Sequence, residues 1–505
     1  MTNRITSLVL SFAVVAPVAA QDTHAHGLGA VTFPVSCNAP AQAQMNTAVA
    51  MLHSFWFTEG RKAFEGVAQA DSGCGIAYWG VALTYFGNPM AGGSAGQAQK
   101  DGAAAAAKAV SMGGRSDRDR AYVDAARVLY QDFATVDNMT RMKAYEAALK
   151  GIATRFPQDT EAVIFDAIYQ VATATPTDLT FAQQKAAAKT LNALYAKYPN
   201  HPGLAHYIIH AFDSPPLAQY AEQAANAYAA IAPDAPHALH MPSHTFTRLG
   251  QWDKSIKTNR RSMDLEPTPG AKSHAADYMV YAYLQQGKDS AALAVIKEIG
   301  GDVSGEYGTG NLSSYNALAM PARYALERDD WRGAAALKVI TAPPSAEAVT
   351  HFARGLGAAR SGDIPSARTE VTALEKNVAD LIAAKDGYWP IVVDAQRMAI
   401  TAWIAHAEGR RDEAVQIARK AADKEETVEK HPVTPGPLIP SRELLGDLLM
   451  VQNKPAEALV AYQATIAREP NRARTLAGAE RAAKAAGKSD LELKYHLQRT
   501  ALRGS

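Results

Sequence analysis

The sequence predicts an all-α fold, a right-handed α-solenoid built from roughly nine or ten helix pairs. Three observations lead to this prediction. A short polar turn between two amphipathic stretches recurs along the chain at spacings of about 33 to 47 residues. Alanine-rich runs such as residues 103–107 favour helix, because alanine has the highest intrinsic helix propensity. Prolines fall where the second helix of a pair should end.

A unit near the C-terminus shows the pattern most clearly. It covers residues 441–470, with the sequence SRELLGDLLMVQNKPAEALVAYQATIAREP. Gly446 and Ala458 are small enough to let two antiparallel helices approach closely. Tyr462 fills the gap between the helices, and Pro470 ends the second helix because it lacks a backbone N–H.

Other parts of the chain repeat this turn less regularly. Clear copies surround Gly250, Gly287, Asp329, Gly362 and Gly409. Units that end at Pro199 and Pro233 precede them, and looser copies surround Gly60 and Tyr145. The glycine-rich segment 300–311 is either a lid over the concave surface or a solvated loop, and four prolines stiffen segment 431–440.

The repeat resembles the tetratricopeptide family over most of the chain after Cys37. The motifs LHSFWF (52–57), HYIIHAFD (206–213), PHALHMPSHTFTRLGQWDKSI (236–256) and HPVTPGPLIPSRELLGDLL (431–449) resemble a group of exported bacterial tetratricopeptide proteins without assigned chemistry. The resemblance implies that the first helix of each pair lines the concave surface. It also implies a general role as a scaffold that binds peptides or proteins.

The N-terminus predicts export. Arg4 precedes an apolar run at residues 5–15, and a small-residue site ends at Ala20, so residues 1–20 have the features of a signal peptide. The alternative is an uncleaved anchor, for which the apolar run is short. We expect a flexible segment at 21–36, the solenoid at 37–505, no membrane span after cleavage, and a periplasmic or secreted location.

Charge and cysteine content narrow the class further. Lys plus Arg number 51 and Asp plus Glu number 50, which argues against nucleic acid or an anionic membrane as the main partner. Cys37 and Cys74 are the two cysteines of the chain. In an exported protein they are expected to form one disulfide, with two buried thiols as the alternative.

Histidines cluster on the predicted concave surface. The turn glycines and terminal prolines fix the repeat register. Six of the fourteen histidines lie in the stretch 202–281, and all six fall at concave positions in that register: His206, His210, His237, His240, His244 and His274. His206 with His210, and His240 with His244, have i, i+4 spacing, so each pair projects from one helix face. Imidazoles placed in this way can share one metal ion.

The predicted site residues fall into three groups. The metal ligands are expected to be His206, His210, His240, His244, His274 and Asp213. Residues expected to support a ligand or contact a substrate are His237, His53, Arg248 and Arg323. Acid–base chemistry is assigned to Asp277 or Tyr281. Asp213 has an alternative role, since it precedes Ser214 and two prolines and would cap that turn.

These residues predict an exported metal-binding solenoid that holds one or two transition-metal ions and supports chemistry on a small molecule. Imidazole and carboxylate ligands suit copper, zinc or iron. The reaction class stays open between a metal-dependent oxidoreductase and a hydrolase. Two alternatives remain at this stage: a metal-free scaffold for a peptide or partner protein, and a metal carrier without turnover.

Overall fold

A computed structural model of the chain describes residues 27–307, 312 and 314–503. Over these residues the chain forms 25 α-helices and two short 3₁₀-helices, and the sole β feature is an isolated bridge between Gly301 and Tyr307. The prediction of an all-α solenoid is confirmed. None of the described helices is long and apolar enough to cross a bilayer. The predicted signal peptide at 1–20 lies outside the described residues.

The N-terminal half consists of twelve α-helices. They are α1 (Ala39–His53), α2 (Phe57–Ala70), α3 (Ala77–Phe86), α4 (Gly96–Met112), α5 (Asp117–Tyr130), α6 (Asn138–Arg155), α7 (Thr160–Ala172), α8 (Ala182–Tyr195), α9 (Pro202–Ala211), α10 (Glu222–Ile231), α11 (Pro236–His240) and α12 (Pro242–Arg248). The 3₁₀-helices are Pro89–Ala91 and Ala218–Ala221.

The C-terminal half consists of thirteen α-helices. They are α13 (Trp252–Leu265), α14 (Pro269–Gln285), α15 (Asp289–Glu298), α16 (Tyr315–Leu326), α17 (Trp331–Ala335), α18 (Pro344–Ser361), α19 (Ile364–Ala383), α20 (Trp389–Ala407), α21 (Arg411–Glu425), α22 (Ser441–Val451), α23 (Pro455–Arg468), α24 (Ala473–Ala485) and α25 (Ser489–Arg503). Consecutive helices pack against each other along the whole series.

Small residues bring the paired helices together as the sequence predicted. A Cβ atom added at Gly446 would lie 2.8 Å from the Tyr462 ring, and one at Gly478 would lie 2.5 Å from the same ring. Tyr462 is fully buried, and its hydroxyl donates to Asp447 at 2.7 Å. The aromatic side chain therefore fills the space that the two glycines leave between α22, α23 and α24.

The N-terminal segment differs from the predicted flexible 21–36 over residues 27–36, and residues 21–26 lie outside the described residues. Residues 27–36 pack on the solenoid, and Phe33 is fully buried, with its ring 5.1 Å from that of Trp79. The Phe33 amide donates to Asn46 Oδ1 at 3.0 Å. The prediction was wrong for these residues because one buried aromatic side chain and its hydrogen bonds offset the entropy of ordering a short segment. The predicted disulfide is confirmed, since Cys37 is joined to Cys74.

Segment 430–437, which we call the strap, lies against the inner surface of the middle helices. Asn316 Nδ2 donates to the Val433 carbonyl at 2.6 Å. Arg323 donates to the Gly436 and Pro437 carbonyls at 2.8 and 3.0 Å. The carbonyls of a proline-rich segment cannot be satisfied by a helix of its own, so these side chains bind them instead.

The C-terminal repeats contact the middle of the solenoid. Trp252 Nε1 donates to the Asn471 carbonyl at 3.0 Å. Gln285 Oε1 accepts from the Ala473 amide at 2.9 Å, where α14 meets α24. Together with the strap, these contacts hold the C-terminal part of the chain against α13, α14 and α16. The glycine-rich segment 300–311 is described as far as residue 307. The Lys338 amide donates a hydrogen bond to its Ser304 carbonyl at 2.8 Å. Residues 308–311 lie outside the described residues.

Candidate metal centre

Four helices that begin with proline carry the six predicted histidines. Helix α9 begins at Pro202, α11 at Pro236, α12 at Pro242 and α14 at Pro269. Proline suits this first position, since its missing N–H would have no partner inside the helix. Pro242 also separates α11 from α12. His240 and His244 thus lie on two short helices rather than one, but Met241 keeps helical dihedrals and the two rings stay on one side.

His206, His210 and His237 form the first group, which we call triad A. Each residue offers one ring nitrogen, and these three nitrogens all lie within 4.8 Å of one another. His206 Nδ1 donates to the backbone carbonyl of His53 at 2.6 Å. A carbonyl only accepts, so His206 carries its hydrogen on Nδ1 and directs the Nε2 lone pair toward His237 Nε2, 3.2 Å away.

The spacing of triad A suits an ion. The ring centroids of His206 and His210 are 4.7 Å apart, those of His206 and His237 5.0 Å, and those of His210 and His237 6.5 Å. The point equidistant from the three lies about 3.3 Å from each centroid, close to the roughly 3.1 Å expected when an imidazole nitrogen ligates an ion at about 2.0–2.1 Å. Both ring nitrogens of buried His210 lack a hydrogen-bond partner among the described residues.

His240, His244 and His274 form the second group, which we call triad B. Their ring centroids are 4.9 Å apart for His240 and His244, 4.4 Å for His240 and His274, and 5.6 Å for His244 and His274. The equidistant point lies about 2.9 Å from each centroid, again within reach of a metal–imidazole bond. The structure therefore brings all six predicted histidines together, in two sets of three.

In triad B, the Nδ1 atoms of His240 and His244 each donate a hydrogen bond to an acceptor outside the triad. His240 Nδ1 donates to Asn259 Oδ1 at 2.6 Å, and Asn259 is oriented by its own bond from Nδ2 to the Ser255 carbonyl at 2.8 Å. His244 Nδ1 donates to Asp213 Oδ2 at 2.8 Å. Both rings thus carry hydrogen on Nδ1, and their Nε2 lone pairs face each other at 2.9 Å. Two lone pairs at this distance repel unless a cation lies between them.

Burial keeps the six imidazoles neutral. It lowers the pKa of His240 to about 4. It also lowers the pKa values of the other five histidines well below the ordinary 6.5, and neighbouring imidazoles lower them further: His206, His210, His237, His244 and His274. Neutral imidazole is the form that binds metals, so the site is ready for an ion at neutral pH without losing protons first.

Asp213 lies outside triad B rather than within it. Its Oδ2 accepts from His244 Nδ1 and, at 2.8 Å, from Lys430 Nζ of the strap. Burial lowers the pKa of Lys430 to about 8. A carboxylate that holds the far nitrogen of a ligating histidine is a common feature of metal sites, and it fixes the ring orientation. This position differs from the predicted role of Asp213 as a ligand.

The residues predicted for acid–base chemistry, Asp277 and Tyr281, have hydrogen-bond and ion-pair partners outside both triads. Asp277 is fully buried in an ion pair with Arg323 Nε at 2.8 Å. Tyr281 accepts a bond from Arg472 at 3.2 Å, and burial raises its pKa to about 12. The structure thus pairs Asp277 and Tyr281 with residues outside the triads, whereas the repeat register placed them in the site from the average concave positions. Tyr278, four residues after His274 and thus on its helix face, is the tyrosine that contacts triad B.

Tyr278 and Phe55 are aromatic neighbours that the sequence did not assign. The Tyr278 ring stacks on His244 at 4.8 Å, and its hydroxyl lies 3.3 Å from His244 Nδ1. The Phe55 ring lies 4.4 Å from that of His206 and 5.3 Å from that of His237. Phe55 has φ of 51°, a left-handed conformation that costs a non-glycine residue about 1–2 kcal/mol. The i+4 spacing from His274 is the sequence signal that marks Tyr278, and no sequence signal marks Phe55.

The predicted supporting residues separate into different surroundings. His237 belongs to triad A itself. Arg323 is fully used by Asp277 and the strap carbonyls. Arg248 is buried with Nη1 3.1 Å from Glu469 Oε1, while its Nε and Nη2 lack partners among the described residues. Neither arginine contacts a triad imidazole through a described hydrogen bond.

His53 belongs to a third buried group, with Glu161 and His201. Its Nε2 lies 2.7 Å from Glu161 Oε2, and His201 Nε2 lies 2.9 Å from Glu161 Oε1. The two imidazoles lower the pKa of Glu161, against the effect of burial. The Glu161 carboxylate is already paired with Nε2 of both rings. These three side chains therefore link α1, α7 and the residue before α9 through hydrogen bonds. Its link to triad A is the His53 carbonyl.

Comparisons with known proteins leave the function open. No protein-family model matches the chain, and no curated protein matches it. Similar solved structures include the APC/C hetero-tetramer Cut9–Hcn1, with 11% identity over 93% of this chain and 94% of that one and a TM-score of 0.34. The human IFIT1 dimer shares 11% identity over 85% and 90%, with a TM-score of 0.41.

A third similar structure is a signal-transduction ATPase with a tetratricopeptide repeat sensor from Pyrococcus horikoshii. It shares 11% identity over 75% of this chain and 55% of that one, with a TM-score of 0.30. Similarity at this level supports no inference about what the protein binds.

Proposed function

We propose that this protein binds two transition-metal ions, one in triad A and one in triad B, and that these ions support chemistry on a small molecule. One observation carries the proposal. His240 and His244 both use Nδ1 as a donor, so that their Nε2 lone pairs face each other at 2.9 Å in a buried site. A shared cation turns this repulsive contact into a stabilising one.

The donor set supports copper, zinc or iron as the ion. Imidazole nitrogens suit all three, and three protein ligands leave a position open for water or substrate. His237 and His274 are the half-buried members of their triads, whereas the other four rings are buried. The open side of both sites therefore faces the surface at these two residues, and a small molecule would enter there.

The covered concave surface argues against a metal-free peptide scaffold. The strap and α24 lie against the helices that would have to bind an extended peptide. Displacing the strap would break the bonds of Arg323 and Asn316 and expose Lys430. A metal carrier without turnover remains the competing role, and the open ligand position favours chemistry over storage.

An exported location is part of the proposal. The Cys37–Cys74 disulfide fits an oxidising compartment such as the periplasm or the cell exterior. The near balance of 51 basic and 50 acidic residues fits a soluble small-molecule partner better than nucleic acid.

Metal analysis of the full chain tests the proposal. Protein without tag histidines is stripped with a chelator, reconstituted separately with copper, zinc and iron, dialysed, and analysed for bound metal. Two ions per chain are expected for the native metal. The variants His206→Ala/His210→Ala and His240→Ala/His244→Ala should each retain one ion, with helix content unchanged by circular dichroism. His351→Ala, outside both triads, is the matched control. Absence of bound metal with all three ions would overturn the proposal.

A further inference from the structure

The two triads have the same three-histidine composition, and they also lie next to each other. The ring centroids of His237 in triad A and His240 in triad B are 5.8 Å apart, and those of His210 and His244 are 6.1 Å apart. Rings at these distances are in van der Waals contact. The rings of triad A therefore pack directly against those of triad B, and ions bound in the two triads would be neighbours.

The pair of triads lacks net negative charge of its own. An imidazole that gives a lone pair to a metal is neutral, and the facing Nε2 atoms of His240 and His244 at 2.9 Å, and of His206 and His237 at 3.2 Å, are placed to give such lone pairs. Asp213, the carboxylate nearest to triad B, is neutralised by Lys430 at 2.8 Å. Asp277 is neutralised by Arg323 at 2.8 Å. The protein therefore supplies six neutral donors and no anion to offset the charge of two ions.

The absence of a compensating negative charge affects which charge state of the bound ions is favoured. At equal separation, two dications repel each other four times as strongly as two monocations, and each buried ion also costs desolvation energy that rises with the square of its charge. Six neutral imidazoles therefore favour a pair of monocations, or a pair of dications joined by an anion. Copper has both a stable +1 and a stable +2 state and binds imidazole, so it meets both conditions with the same ligands.

We propose that the two triads hold a coupled pair of copper ions that binds dioxygen. The proposal rests on the proposed function, because it requires an ion in each triad. As copper(I), each ion carries one positive charge. Dioxygen enters beside His237 and His274, takes one electron from each copper(I), and becomes a peroxide dianion that bridges two copper(II) ions. No proton moves and the O–O bond stays intact, while the bridge supplies the negative charge that the protein lacks.

The open ligand positions fit this role. Each triad gives three imidazoles, which would leave the fourth position of a four-coordinate ion open to dioxygen. Phe55 packs on His206 and His237, and Tyr278 stacks on His244, so an aromatic ring covers part of each triad. Burial of four of the six rings and their close packing favour a bridging ligand over two separately hydrated ions.

Anaerobic copper(I) loading followed by oxygen tests the proposal. The stripped full chain is titrated with copper(I) under nitrogen, bound copper is counted, and oxygen is then admitted. We expect two copper ions per chain, uptake of one dioxygen per pair, a new near-ultraviolet charge-transfer band, and a copper(II) paramagnetic resonance signal below a tenth of the bound copper, because the bridge couples the two spins.

Variants in the half-buried histidines isolate the coupling. His237→Gln and His274→Gln should each keep one copper per chain, lose the band, and show a resonance signal for all the copper once oxidised. His351→Gln should behave like the unchanged protein. Circular dichroism confirms that each variant is folded.

Three results would overturn the proposal in distinguishable ways. Two bound copper ions that give two full, independent resonance signals would disprove the coupling and leave the metal-binding function intact. Two zinc or iron ions with no affinity for copper would disprove the choice of metal alone. No bound metal of any kind would disprove the proposed function and this inference together.

Discussion

Acidification should destabilise the metal-free protein, because its buried imidazoles resist protonation in the folded state, and His240 offers the clearest test. Burial lowers its pKa from the ordinary 6.5 to about 4 in the folded chain. Between these values the unfolded state binds a proton that the folded state does not, so the free energy of unfolding falls as pH falls through 6.5 and levels off near 4. For this one group the loss between pH 7 and pH 5 is about 2 kcal/mol.

Buried carboxyl groups act in the opposite direction, so a difference measurement is needed. Burial raises the pKa of Glu425 to about 7 and that of Asp166 to about 6, and each group therefore stabilises the fold as pH falls. Comparing the unchanged protein with His240→Gln removes these common contributions.

The assay is the number of protons taken up on unfolding. Folded and urea-unfolded samples are titrated at pH 5.5 in the presence of a chelator, which avoids any assumption of two-state unfolding. His240→Gln should take up about 0.9 proton fewer than the unchanged protein. Equal uptake by the His240 variant and the unchanged protein would show that this imidazole is solvated and that the buried site does not exist as described.

Three further substitutions test other parts of the account. Asp213→Asn should weaken metal binding in triad B about 10- to 100-fold in a competition titration, because it removes the carboxylate that orients His244; unchanged affinity would refute that role. Joint replacement of Cys37 and Cys74 by serine should lower stability by about 4 kcal/mol, the entropy of the closed loop, seen as a lower urea midpoint. Phe33→Ala should cost about 3–5 kcal/mol and release residues 27–36 to faster hydrogen exchange; protection equal to the unchanged chain would show that Phe33 does not anchor the segment.

The sequence predicted the parts of the structure that depend on local pattern. Helix pairs follow from turns and periodicity, and the approach of Gly446 to Tyr462 follows from the repeat. The convergence of the histidines was predictable for the same reason. The inner face of a helix repeats every three or four residues, so i, i+4 pairs on neighbouring inner helices must meet.

Contacts between distant parts of the chain were not predictable in this way. Lys430 reaches Asp213 across 217 residues because the strap folds back over the inner surface, and no local pattern encodes that path. Asp277 and Tyr281 were predicted in the site but bind Arg323 and Arg472 instead, because the average repeat register does not give the exact rotation of α14. Phe55 depends on a left-handed backbone that tertiary packing imposes on an unfavourable residue type.

Anomalous diffraction from crystals of the metal-loaded protein tests the central claim most directly. Data collected on both sides of the metal absorption edge should show two peaks per chain, one within about 2.0–2.2 Å of three nitrogens of His206, His210 and His237, the other equally close to His240, His244 and His274. Peaks confined to His53, Glu161 and His201, or no ordered peak at either triad, would contradict it.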